Sequence, residues 1–375
     1  MPRAAVICEF NPFHNGHKFL LEKIKSEYAD EIICIMSGSF VQRGDIAITD
    51  KFSRARTALE NGADMVVELP TVYAMAPAQV FAMNGVRLAY ELGCDYLCFG
   101  AENSIEELYE TLEILDADDT QEKIAVRMQA GCYYPRALSE AVGEPYASII
   151  AQPNNILALE YIRACREYGL IPIAIKREGA GHDSQEVCGN IASATKIRDM
   201  IRSGEDVSPF MPEPIKHAYF LEDIETILLF FLKTQKPEET AAIAGISEGL
   251  NYRIYKCAQQ YNSTEEILSA IKTKRYTMAR LRRITLSIVL GITAQMQNRP
   301  VPYIRVLGIR NDKSHMIRTR SLPLIVDVRR GYNALNNSDK EIFDIDLEAT
   351  KLMNSNSRGT LRYPLNEFHY GVIKI

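Results

Sequence analysis

Alternation of short apolar runs with amphipathic helical stretches constrains the fold of this chain more than any other feature. Residues 4–7, 31–36, 65–69, 96–99 and 171–175 are near-continuous apolar runs without in-out alternation. That is the pattern of strands buried on both faces of a parallel sheet. Between them, residues 16–28, 51–61, 78–92 and 104–115 carry helical spacing, with Asp50 placed to cap the second stretch and Gly62 to close it. The expected fold class is therefore α/β: a doubly wound, Rossmann-like sheet whose ligands bind outside the C-terminal strand ends.

From about Gly204 the pattern changes. Pro209, Pro212 and Pro214 punctuate a linker-like stretch, and residues 223–233, 237–246, 264–272 and 278–292 read as helices. The chain of 375 residues is long enough for two domains. A boundary near residue 210 is expected, dividing a Rossmann-like domain (1–210) from a mainly α-helical C-terminal domain (211–375). Two β-like runs, 303–309 and 322–328, indicate that the second part is not purely helical.

Composition matters here for what it excludes. An apolar share of 47% and a charged share of 24% are those of an ordinary globular protein, not of a disordered or fibrous chain. No apolar run approaches the roughly 18 residues of a membrane span. The short apolar stretch after Met1-Pro2-Arg3 meets Glu9 and Asn11, unlike a signal peptide. A cytoplasmic location without membrane association is expected. The eight cysteines sit mostly inside apolar stretches and read as reduced core residues. Cys94 and Cys98 lack a second ligand pair, so no protein metal site is expected.

Charge is unevenly spread. The formal net charge is −5, yet between Ala270 and Arg330 fourteen Lys or Arg face only Asp312 and Asp327, leaving −17 on everything else. A polyanionic partner is expected for this segment. Lys272, Lys274, Arg275, Arg280, Arg282 and Arg283, with Tyr276 among them as a stacking surface, suit contacts to phosphates, the plainer alternative being a solvated helix face.

The most informative stretch is Ile7-Cys8-Glu9-Phe10-Asn11-Pro12-Phe13-His14-Asn15-Gly16-His17. A strand ends, Asn11-Pro12 turns the chain, and His14-x-Gly16-His17 opens a helix. Such an entrance offers backbone N–H groups and a positive dipole end to an anion. Gly16 lets a nucleotide lie against backbone. Spaced i and i+3, His14 and His17 share a helical face and can donate hydrogen bonds to a triphosphate as charge builds on the leaving oxygen. These two are the catalytic candidates.

The His-x-Gly-His sequence resembles the fingerprint of the nucleotidyltransferase superfamily shared with class I aminoacyl-tRNA synthetases. Its second fingerprint appears as Ala192-Ser193-Ala194-Thr195-Lys196-Ile197-Arg198, with Ala194 where a serine is usual. Ser193, Thr195 and Arg198 would hold phosphates from the opposite side, although Ser193 is also an ordinary helix cap. Further motifs, 36–45, 99–103, 153–157 and 191–195, resemble the tRNA(Met) cytidine acetate ligase family over essentially the whole chain.

That resemblance implies an activity. ATP and acetate form acetyladenylate and pyrophosphate, and the acetyl group passes to N4 of the wobble cytidine, C34, of elongator tRNA(Met). ATP with Mg²⁺ is implied, and no protein partner. The resemblance places the ATP pocket along Ile7, Cys8, Glu9, Phe10, Asn11, Pro12, Phe13, His14, Asn15, Gly16, His17, Lys18, Phe19 and Leu20, completed by Gly100, by Asn154 or Asn155, and by Arg177. Lys18 and Arg198 add positive charge. The stretch 37–51 reads as a flexible basic loop at the same sheet edge, with Ser39, Phe40, Gln42 and Arg43 lining an acetate or cytosine pocket. A small-molecule adenylyltransferase of the pantetheine-phosphate or nicotinate-mononucleotide kind is the alternative; it leaves the basic segment unexplained.

Overall fold

The computed structural model describes residues 1–132, 134–176, 189–355 and 366–375. Its strands are β1 (Arg3–Cys8), β2 (Glu31–Ser37), β3 (Phe40–Val41), β4 (Asp45–Ile46), β5 (Met65–Leu69), β6 (Tyr96–Ala101), β7 (Ile171–Lys176), β8 (Ile304–Ile309), β9 (Leu324–Ile325) and β10 (Ile373–Lys374). The helices used below are α1 (Asn15–Glu27), α2 (Lys51–Glu60), α3 (Ala78–Glu91), α4 (Pro153–Tyr168), α5 (Ala194–Ser203), α6 (Met278–Leu290) and α7 (Asn337–Asn354).

All five apolar runs of the first half form parallel strands in the order β5-β2-β1-β6-β7. Numbered among themselves they run 3-2-1-4-5, so the order reverses between β1 and β6. In doubly wound sheets the ligand crevice opens at that point, outside the strand C-termini. The residues following β1 and β6 are Glu9 and Glu102, and His14 opens the helix a few residues beyond Glu9. Both sheet faces are covered, since strands β2 and β5 are buried along their whole length.

The sheet does not stop at residue 210. β8 pairs antiparallel with β5, with a register irregularity between Val66 and Val67, and β9 and β10 pair parallel with β8. Residues beyond 300 thus build the other edge of the first-half sheet, and Tyr303 and Phe343 share its core with Met65 and Val67. A helical region with a small core of its own, including Leu250, Ile267, Leu281 and Ile284, lies between β7 and β8 in sequence. The part of the chain beyond residue 210 is mainly helical, as expected, and it returns to the sheet of the first half after its helical region.

Local differences have physical reasons. Asp50 caps α2 by accepting from Phe52 N and Ser53 N at 3.0 and 2.9 Å. The expected helix over 237–246 is a series of turns joined to Thr293 through a bridge at Ile243. The run 322–328 gives only the short β9, because Val328 opens a helix capped by Asp327. A helix at Leu250–Ala258 was not expected, since it starts after Gly249 in a left-handed conformation without a side-chain cap. α7 was also not expected: Asp346 and Thr350 lie among its buried residues and break the apolar stripe.

Candidate nucleotide site at the sheet switch point

β1 ends against Phe10, whose left-handed backbone (φ 47°) costs on the order of 1–3 kcal/mol for a bulky residue. Burial holds it there: Phe10 is 1% exposed and packs edge-on against Phe13 at 4.8 Å between ring centroids. The reversal delivers His14 to the start of α1 as its N-cap. His14 Nδ1 accepts from Gly16 N at 3.1 Å, and His17 Nδ1 accepts from His14 N at 3.3 Å. Two imidazoles therefore make the reciprocal capping box usually made by Ser or Thr with Glu.

This arrangement fixes the chemistry of both rings. An Nδ1 that accepts a backbone N–H cannot carry a proton, so each neutral ring holds its proton on Nε2. The rings stack at 3.8 Å, inclined by 27°, and His17 rests on Phe10 and Phe13 at 5.0 and 5.7 Å. Two Nε2–H donors are thereby held at one helix entrance. Gly16 has a role beyond admitting a ligand: a Cβ there would lie 3.0 Å from His14 Cε1 and 3.1 Å from Nδ1.

The second fingerprint meets the first. Ser193 caps α5 by accepting from Lys196 N at 3.1 Å. Arg198 donates to Asn11 O at 2.7 Å and to Thr195 Oγ1 at 3.2 Å. Asn15 Nδ2 donates to Asn190 O and Pro209 O at 2.9 and 3.0 Å, so the starts of α1 and α5 are tied together. Burial lowers the Arg198 guanidinium, against the pull of Asp45 and Glu9. Burial raises the Glu9 carboxyl, opposed by the bond from Gln42 N and by Arg198 and Arg43. Asp45 is raised likewise, with Arg198 opposing.

Other expected residues divide between the site and its walls. Ile7, Cys8, Phe10, Pro12 and Phe13 are buried, so their side chains back the site and do not face a ligand. Asn11 is buried too, its Oδ1 accepting from Ile48 N at 2.7 Å. Lys18, Phe19 and Leu20 are half-buried on α1, and Gly100 is half-buried near the end of β6. Asn155 is fully buried and its amide is committed to Asn103, Ile149 O and Glu102 N. It has no surface to offer a nucleotide. Asn154 remains partly exposed and donates to Glu102 at 2.5 Å. Arg177 lies outside the described residues.

The loop after β2 differs most from expectation. It is the tight hairpin β3–β4, in which Phe40 is fully buried and presents no stacking face. Ser39 is buried against Thr350 at 3.3 Å. Gln42 N donates to Glu9 Oε1 at 2.9 Å, and Arg43 lies within electrostatic reach of Glu9 and Arg198.

Two buried groups escaped the sequence reading. Arg54, 1% exposed, donates to Glu9 O at 2.6 Å, Ser37 O at 2.9 Å, Thr49 O at 3.0 Å and Gly38 O. It ties the ends of β1 and β2 together beneath the motif, and burial brings its guanidinium down to about 10. Beside it, Lys51 lies 2.6 Å from Glu68 and 2.8 Å from Glu367. Arg305 lies 3.0 Å from Glu68 and also pairs with Glu367. Glu68 carried the signal, since a carboxylate inside a strand buried on both faces requires cations.

The basic segment is not one patch. Arg305 belongs to that interior cluster, Arg299 pairs with Asp339 at 2.7 Å and Arg310 with Asp312 at 3.4 Å. Arg275 pairs with Glu248 at 2.5 Å, and Arg280 donates to Gly245 O while lying over the Tyr276 ring. Tyr276 is itself buried, which removes it as a stacking surface. Arg283 is half-buried and bonds to Gln42 O. Lys272, Lys274 and Arg282 are exposed. Among the described residues, no group of three or more His, Cys, Asp or Glu could hold a metal ion, and no helix is long and apolar enough to cross a membrane.

A 3-2-1-4-5 sheet with paired imidazoles at its switch point and an arginine-bearing second helix defines a nucleotidyltransferase, and the HIGH Nucleotidyl Transferase family model matches residues 1–362. Two relatives narrow the class. A tRNA(Met) cytidine acetate ligase of Acetivibrio thermocellus is 32% identical, covering 92% of this chain and 93% of its own; one from Thermoanaerobacter sp. (strain X514) is 34% identical, covering 94% and 96%. Thermotoga maritima TmcAL bound with alpha-thio ATP superposes with a TM-score of 0.90 at 30% identity, covering 100% of this chain and 99% of its own. This chain belongs to the tRNA(Met) cytidine acetate ligase family.

Proposed function

We propose that the protein is an ATP-dependent acetate ligase that acetylates N4 of the wobble cytidine, C34, of elongator tRNA(Met). The observation that carries this reading is the imidazole capping box at the β1/β6 switch point, with Arg198 of α5 bonded to Asn11 O in the turn that leads into it, in a chain whose relative holds an ATP analogue.

An acetate oxygen attacks the α-phosphorus of ATP, the bond to the bridging oxygen breaks, and pyrophosphate departs. Negative charge grows on that oxygen, where the Nε2–H groups of His14 and His17 stabilise it, with Lys18 and Arg198 adding positive charge. The cytidine amine then attacks the acetyl carbon of the mixed anhydride, AMP leaves, and the amine loses a proton. Mg²⁺ bound with ATP would offset phosphate charge and so ease the departure of pyrophosphate. Ser193, Thr195, Gly100 and Asn154 complete the ATP site in this reading. Lys272, Lys274 and Arg282 supply exposed charge for the tRNA, beside Arg275 and Arg280.

The test is incubation with ATP, labelled acetate and bulk bacterial tRNA, followed by nucleoside analysis. Label is expected in N4-acetylcytidine. His17→Ala should abolish acetate-dependent exchange of pyrophosphate into ATP and leave tRNA binding intact. Label confined to a small molecule would refute the reading.

A further inference from the structure

We infer that Arg283 is a positioning residue of the nucleotide site and not an RNA contact, which makes the start of α6 part of the catalytic apparatus. The inference rests on the acetate-activating reading and identifies what holds its site in shape. Arg283 Nη1 donates to Gln42 O at 3.0 Å, across 241 residues of sequence. Gln42 N donates in turn to Glu9 Oε1 at 2.9 Å, and Glu9 stands between β1 and the histidine turn. The Glu9 carboxylate and Arg198 attract one another, and Arg198 is bonded to Asn11 O within that turn. A continuous polar path therefore runs from α6 through the hairpin to the motif.

The hairpin also docks on α6 through backbone alone. Gly44 has φ +73°, and a Cβ there would lie 2.5 Å from Arg283 N and 2.8 Å from Arg282 C. Side chains are excluded at that position, so the hairpin tip abuts the helix directly. Arg282 is exposed beside the junction, whereas Arg283 turns inward, and burial lowers its guanidinium to about 10, with Arg280 adding to the shift. It remains charged at neutral pH and finds its acceptor in the hairpin. One arginine of the pair faces solvent and the other serves the site.

The measurements are acetate-dependent pyrophosphate exchange without tRNA, ATP affinity by calorimetry, and tRNA binding across a salt series. Arg283→Gln should lower the exchange rate by about tenfold or more and weaken ATP by about threefold, consistent with a site displaced by a fraction of an ångström. Arg283→Lys, which keeps the positive charge and most of the reach to Gln42 O, should recover part of the loss. Gly44→Ala should reproduce it without changing any charge. The affinity for tRNA and its salt slope should be unchanged in all three. Normal exchange with weaker, less salt-dependent tRNA binding in Arg283→Gln would overturn the inference. So would losses of exchange, ATP affinity and tRNA affinity in equal measure that Arg283→Lys does not relieve. If the wild-type protein shows no acetate-dependent exchange, the acetate reading fails by itself. ATP affinity then decides the positioning role, with unchanged affinity in Arg283→Gln refuting it.

Discussion

Gly16→Ala separates stability from activity at the histidine entrance. Replacing a glycine within a helix by alanine ordinarily stabilises it by roughly 0.5–1 kcal/mol. Here the added methyl would sit 3.0 Å from His14 Cε1, whereas ordinary van der Waals contact begins at 3.4 Å. The His14 ring must retreat by about 0.4 Å or the cap must loosen, and losing an N-cap entirely costs about 1 kcal/mol. Because the cap is strained and not deleted, the two effects nearly cancel, and the urea midpoint should move little. Activity should not be spared. A displacement of about 1 Å can cost about a hundredfold in rate, so a shift of this size should cost about tenfold in acetate-dependent pyrophosphate exchange. The pairing to measure is exchange kinetics against a urea titration of the same preparation. Full exchange activity in a protein at least as stable as wild type would refute the reasoning, because it would show that the position of the His14 ring is not what the motif supplies.

Two other outcomes follow from the charges. Burial works against the charge of Glu367, yet Lys51 and Arg305 hold its carboxyl down at about 2. A depressed carboxyl stabilises the fold above its unfolded value near 4.5 and loses that contribution as pH falls towards 2, on the order of 3 kcal/mol. Glu367→Gln should therefore be less stable than wild type at pH 7, with the gap narrowing as the pH falls below about 4.5 and closing only near pH 2 in urea unfolding. A gap that widens in acid would contradict the assignment. Asp346, raised by burial and Glu68 to about 7, has the opposite sign and contributes most below about pH 4. Substituting Lys272, Lys274 and Arg282 together by Ala should weaken tRNA binding and reduce its salt slope by up to about 3. Unchanged binding would place the RNA surface elsewhere.

The sheet was legible because burial on both faces leaves an unmistakable signature: five apolar runs, and five parallel strands where they were expected. The histidine entrance was legible for a related reason, since strand, turn and helix are adjacent in sequence. What sequence did not reveal is contact between distant segments. Lys51, Glu68, Arg305 and Glu367 come from four separate segments, and only the interruption of the β5 run by Glu68 hinted that they meet. Charge summed along residues 270–330 misled for the same reason, because proximity in sequence does not set which guanidinium faces inward. Arg282 and Arg283 are neighbours with different surroundings.

The path of the sheet has a practical corollary for anyone wishing to isolate the half that carries the histidine motif. Ending the polypeptide at residue 210 would strip β8 from β5 and leave the strand Met65–Leu69 as a bare, apolar border. It would also strand Lys51 and Glu68 beside one another without Arg305 and Glu367, their other two counter-charges. Such a fragment invites clumping through its open flank, so dissection should excise the helical excursion and rejoin the two returning ends.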